Sequence, residues 1–164
     1  MVLKFLYSLF LGVLFASLVG LGIAAFYPQP KVPEYPSSLN YAAPVMEQTE
    51  RQQIQMQRVQ ARYNSQLKTY ETKRKLYSRD VSIIALIAAI IVLVISLTYF
   101  KQLLLLSDGL LLGGLLTLIY SIFRGFETDD NMFRFIVVAV GFITALVVGY
   151  VKFVPPHLKR KKKK

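Results

Sequence analysis

The chain has 164 residues, 54% of them hydrophobic, with a mean hydropathy of +0.45 and a net charge of +11. A soluble domain of this size has too little interior to hide so much apolar surface, so lipid is the expected solvent. With no Cys and one His, thiolate nucleophiles, disulfides and multi-His or thiolate zinc sites are excluded, and no cofactor is expected.

The hydropathy pattern predicts an all-α, four-span helical membrane protein. A long polar helix, about 45–79, lies between spans 1 and 2 and is free to continue into span 2. Residues 5–27 are 23 consecutive uncharged residues, enough to cross a hydrocarbon layer of about 30 Å as span 1. Lys4 ahead of them also fits a signal peptide, with Gly22-x-Ala24 as the cleavage site. A signal-peptide core is normally about 7–15 residues, however, so an uncleaved anchor is the expectation.

Residues 28–44 hold five of the seven prolines and are expected to be an extended linker. Tyr27, Tyr35 and Tyr41 alternate with the prolines. They read as interfacial tyrosines on a stiff linker, or as a segment suited to an aromatic-lined groove. From Val45 to Asp108 there is neither Gly nor Pro, and residues 45–79 are rich in good helix formers. Met56, Tyr63, Tyr70 and Tyr77 recur every seven residues, and Val59 and Leu67 fill the same stripe. The result is a narrow apolar face on a polar helix, a poor coiled-coil seam but suited to a bilayer surface, a partner or weak self-association.

Residues 81–99 form the second predicted span. Either Ser78 or Asp80 begins a separate helix there, or the polar helix runs straight into the bilayer. A turn at Phe100–Gln102 would leave Asp108 inside the membrane; a later turn is expected, so that Ser107 or Asp108 caps span 3, residues 108–126, with the acid close to the headgroups. A polar loop follows. In it Asp129 or Asp130 caps span 4, residues 131–153, Asp130 pairs with Arg134, and Glu127 lies near Arg124. The loop acids lack the spacing of a calcium loop. Pro155 and Pro156 end span 4, and residues 155–164 form a basic tail. Aromatic residues collect at the span ends, as they do at membrane–water interfaces.

Four spans put both termini on one side. Nine Lys/Arg fall on the terminal side and eleven on the other, so the positive-inside rule is nearly balanced. The contiguous tail cations, hard to translocate, and a first span that resembles an N-in signal anchor favour cytoplasmic termini; a bacterial inner membrane is the expected location. The arm would then lie outside the cytoplasm.

Small residues recur every four positions in span 1, at Ser8, Gly12, Ala16, Gly20 and Ala24. They recur in span 3 at Gly109 and Gly113, and in span 4 at Gly141, Ala145 and Gly149. Missing side chains on one face let another backbone approach, so spans 1 and 4 are expected to pack on each other or on a second copy. Two basic clusters flank the spans: Lys73, Arg74, Lys75 and Arg79, then Lys159, Arg160 and Lys161 in the tail. Each cation near an anionic bilayer contributes about 1 kcal/mol, so anionic headgroups are the expected partner. Specific nucleic-acid binding is not expected, because no aromatics are interleaved for base stacking.

No catalytic constellation is present, and the spans hold no interior Pro and no paired mid-membrane ionisable groups. The leading expectation is a non-catalytic scaffold or accessory subunit that binds a partner protein through residues 45–79. The competing one is a channel or transporter component built from several copies, with Asp108, Gly113, Gly114 and Thr117 facing a wet lumen. A membrane-embedded enzyme comes third.

Overall fold

The computed structural model describes residues 2–40, 50–98 and 104–154. Its helices are α1 (Val2–Phe26), α2 (Ser37–Asn40), α3 (Glu50–Thr98), α4 (Leu104–Phe126) and α5 (Asn131–Phe153). α1, α3, α4 and α5 are each long and apolar enough to cross a membrane. The chain divides into two compact units: Met1–Pro28 with Ser78–Lys164, and Gln29–Tyr77.

In the first unit, α1 stops where Pro28 follows, since a residue before proline avoids helical geometry. The Tyr27 amide closes the last turn on Ile23 O at 2.7 Å, and the Tyr27 hydroxyl donates to Asp80 Oδ2 at 2.8 Å. α3 is one unbroken helix through Ser78 and Asp80. Neither residue caps a separate helix: Ser78 donates instead to Glu127 Oε2 at 2.6 Å, and Asp80 accepts from Tyr27.

α4 starts at Leu104, earlier than the expected 108, so Ser107 and Asp108 lie inside it. The reason is that both side chains are used across helices. The Ser107 hydroxyl donates to Ser96 O at 3.2 Å, and Asp108 accepts from Lys152 Nζ at 2.6 Å. Neither is left to cap a backbone.

The turn after α4 is closed by Thr128, whose hydroxyl donates to Gly125 O at 2.7 Å. Of the two candidate acids, Asp130 is the cap: its carboxylate accepts from the amides of Met132 and Phe133 at 2.9 and 3.2 Å. That duty takes it away from Arg134, correcting the expected Asp130–Arg134 pair. Arg134 donates instead to Thr128 O and, at 3.3 Å, to Asn131 Oδ1. Arg124 and Glu127 do pair, at 3.0 Å.

Burial is inverted relative to a soluble protein. Ser78, Ser82, Ser96 and Ser121 are fully buried, while Leu18 and Phe142 are 68% and 63% exposed. Large apolar side chains face outward and small or hydroxylated ones face inward, the pattern of helices solvated by lipid. Ala89, Leu93, Leu118 and Val148 form the core, drawn from α3, α4 and α5. α4 is central, with α1, α3 and α5 each packed against it.

In the second unit, residues 28–36 leading into it form neither helix nor sheet. The expectation of an extended linker throughout 28–44 is corrected at Ser37–Asn40, which form a single helical turn. Residues 41–44 of that linker, and 45–49 of the expected polar helix, lie outside the described residues. In the rest of the unit, residues 50–77 are helical as part of α3.

Candidate functional site

α1 and α4 approach each other closely, backbone to backbone. A Cβ placed on Gly12 would lie 3.1 Å from the Gly113 amide nitrogen, and one on Gly113 would lie 3.1 Å from Gly12 O. Gly109 meets Leu11 in the same seam. Within the chain, span 1 therefore packs on span 3 through Gly12, Gly109 and Gly113, which corrects the expected packing of spans 1 and 4 on each other. Both partners offered small residues at the same spacing, so spacing alone could not choose between them. Ser8 donates to Leu105 O of α4 at 3.3 Å, and Ala16 is half-buried.

The remaining small residues divide. Gly141 of α5 faces Leu118 and Ile122 of α4, whereas Gly20 and Gly149 have open space around them and Ala145 is exposed.

A second seam, between α3 and α4, is built on hydroxyls. Ser82 Oγ donates to Ser121 O and Ser121 Oγ donates to Ser82 O, both at 2.8 Å. Further along, Ser96 Oγ donates to Ser107 O at 2.8 Å and Ser107 Oγ returns the bond to Ser96 O at 3.2 Å. Between these staples, Gly114 packs against Leu93 and approaches Ala89 O. The signal was present in the sequence at a spacing of seven: Ser82, Ala89 and Ser96 on one helix, Ser107, Gly114 and Ser121 on the other. Each step down α3 is met by a step up α4, as an antiparallel pair requires. A search for four-residue spacing misses this seam.

Each end of the α4–α5 pair carries charge. At one end, Asp108 and Lys152 form an ion pair at 2.6 Å, with side chains 45% and 29% exposed. Lys152 stands in the last turn of α5 and so also complements that helix's dipole, whereas Asp108 lies beyond the first turn of α4. At the other end, Glu127 gathers Ser78 and Arg124, and the Arg124 guanidinium lies 5.8 Å from the Tyr120 ring centroid. This cluster ties α3 to the α4–α5 turn. Among the described residues no group of three His, Cys, Asp or Glu side chains is placed to hold a metal ion.

The residues suggested for a lumen are all engaged within the chain. Gly113 is against Phe15, Gly114 against Leu93, Asp108 is paired, and the Thr117 hydroxyl donates to Gly113 O at 2.8 Å. Among the basic residues, Lys73, Arg74 and Arg79 are exposed and Lys75 is half-buried. Lys159, Arg160 and Lys161 lie outside the described residues.

In the second unit, the Tyr35 and Tyr63 rings meet edge to face, with centroids 5.2 Å apart and planes at 80°. The linker and the polar part of α3 are therefore in contact there.

Four apolar helices, small and hydroxylated residues between them, and large apolar side chains outward define an integral membrane protein. Comparison with known families, with curated proteins and with solved structures finds no match.

Proposed function

We infer that the protein is a non-catalytic scaffold or accessory subunit of a membrane complex, engaging a partner protein through residues 45–79. One observation carries this reading. The polar part of α3, together with residues 29–40, makes a compact unit of its own, a large investment of chain outside the spans. Its surface offers Arg51, Arg58, Arg62 and a half-exposed Ile54, a mixture suited to binding a protein. The membrane is read as a bacterial inner membrane with both termini cytoplasmic; the positive-inside count is nearly balanced, and the reading is supported by the contiguous tail cations, which are hard to translocate. Anionic headgroups would be held by the basic clusters beside the spans.

A pull-down from mild detergent tests this reading by comparing the intact chain with one lacking residues 45–78. Loss of co-purifying proteins on deletion supports it. The same set of partners from both chains contradicts it.

A further inference from the structure

Two periodicities in the second unit coincide. From Glu50 to Tyr70 of α3, only Gln53, Met56, Val59, Tyr63, Leu67 and Tyr70 are half-buried, and every other residue is exposed. From Gln29 to Leu39, only Pro30, Pro33, Pro36 and Leu39 are half-buried, at every third residue. Burial follows position rather than apolarity: Ile54 is 50% exposed beside half-buried Gln53, and Val32 is 65% exposed beside half-buried Pro33. Something covers one face of each segment.

A repeat of three is that of a polyproline II helix, which advances about 9 Å per turn, while seven residues of α-helix advance about 10.5 Å. Prolines on the one can therefore fall between tyrosines on the other over a few repeats. Tyr35, one step off the proline edge, makes the contact with Tyr63.

We propose that the Met56–Tyr70 stripe of α3 is a polyproline-binding surface, and that its occupant is the chain's own strut, residues 30–36. Proline-rich segments bind aromatic-lined surfaces at low entropic cost because their extended form is already set. Here the ligand is tethered, and a short tether gives an effective concentration on the order of millimolar, so free proline-rich peptide is kept off. This rests on the reading of residues 45–79 as a docking module and names the chemistry that the module recognises.

The test uses the full-length protein in detergent and a fluorescent peptide of sequence PQPKVPEYP, copying residues 28–36. Replacing Pro30, Pro33 and Pro36 together with Gly frees the stripe. The substituted protein should bind the peptide about tenfold or more tighter than the unsubstituted one, and adding Tyr63→Ser should remove the gain. Equal binding by the first two proteins, or a gain that survives Tyr63→Ser, overturns the proposal.

A second measurement does not depend on the Gly variants folding. The chain has no Cys, so Tyr35→Cys with Tyr63→Cys provides a single pair for a short bismaleimide. Cross-linking within one copy is expected. Cross-linking between copies, or none, overturns the cis arrangement. Neither measurement involves a partner protein, so failure here leaves the pull-down result standing.

Discussion

Ser82 and Ser121 each donate a hydrogen bond to the other's main-chain carbonyl, both at 2.8 Å and both fully buried. Ser96 and Ser107 repeat the arrangement two heptads away on α3. In lipid there is no hydrophobic drive to bring helices together, so close packing and bonds of this kind supply the association. Serine meets both needs: it is small enough for close approach and carries its own donor.

Ser82→Ala and Ser121→Ala each remove one donated bond without adding volume. Each should cost about 0.6 kcal/mol, the average for interhelical bonds in membranes. Because the hydroxyls are also 3.4 Å apart, the double variant should not be additive. Ser82→Leu, by contrast, overfills a site with no exposed surface and should cost about 1–3 kcal/mol. Reversible unfolding in mixed detergent reads all four.

The glycines separate into two groups by what surrounds them. Gly12→Val drives side-chain atoms towards the Gly113 backbone, which has no flexible end to move aside. It should cost about 1–3 kcal/mol by overpacking. A Cβ on Gly20 or Gly149 meets nothing within 4 Å, so Gly20→Val and Gly149→Val should change stability by less than about 0.5 kcal/mol. The same unfolding measurement gives the contrast, and equal losses at Gly12 and Gly20 would refute the α1–α4 seam.

Asp108 and Lys152 are a partly exposed pair, so breaking it should be modest, about 1 kcal/mol for Asp108→Asn. The charge swap Asp108→Lys with Lys152→Asp remakes the pair but places an acid in the last turn of α5, against that helix's dipole. Stability in the swapped protein should recover only part of the loss seen with Asp108→Lys alone. Full recovery would mean that the α5 dipole contributes nothing here.

Four long helices, one of them extended well beyond its span, were legible in the hydropathy because lipid imposes long uncharged runs. The start of α4 was not, because a serine beside an aspartate can serve equally as cap or as cross-helix donor. Only the position of Ser96 on α3 decides between these. Span pairing was hidden for a related reason: spacing identifies the face of α1 that admits a backbone, while α4 and α5 both present glycines to match it. The serine seam was visible at a spacing of seven but not at four, and seven is the repeat that two helices share when they pack side by side along a length. The period-three burial of the strut depends on a contact between distant segments, which local sequence does not contain.

A crossing of the membrane by each of the four apolar helices is tested most directly by single cysteines. Because the chain has none of its own, Gln57→Cys, Asn131→Cys and Lys164→Cys can each be exposed to an impermeant thiol reagent in sealed vesicles. Gln57→Cys and Asn131→Cys should label from one side and Lys164→Cys only from the other. Labelling of Asn131→Cys and Lys164→Cys from the same side would contradict a crossing by α5 and, with it, the four-span fold.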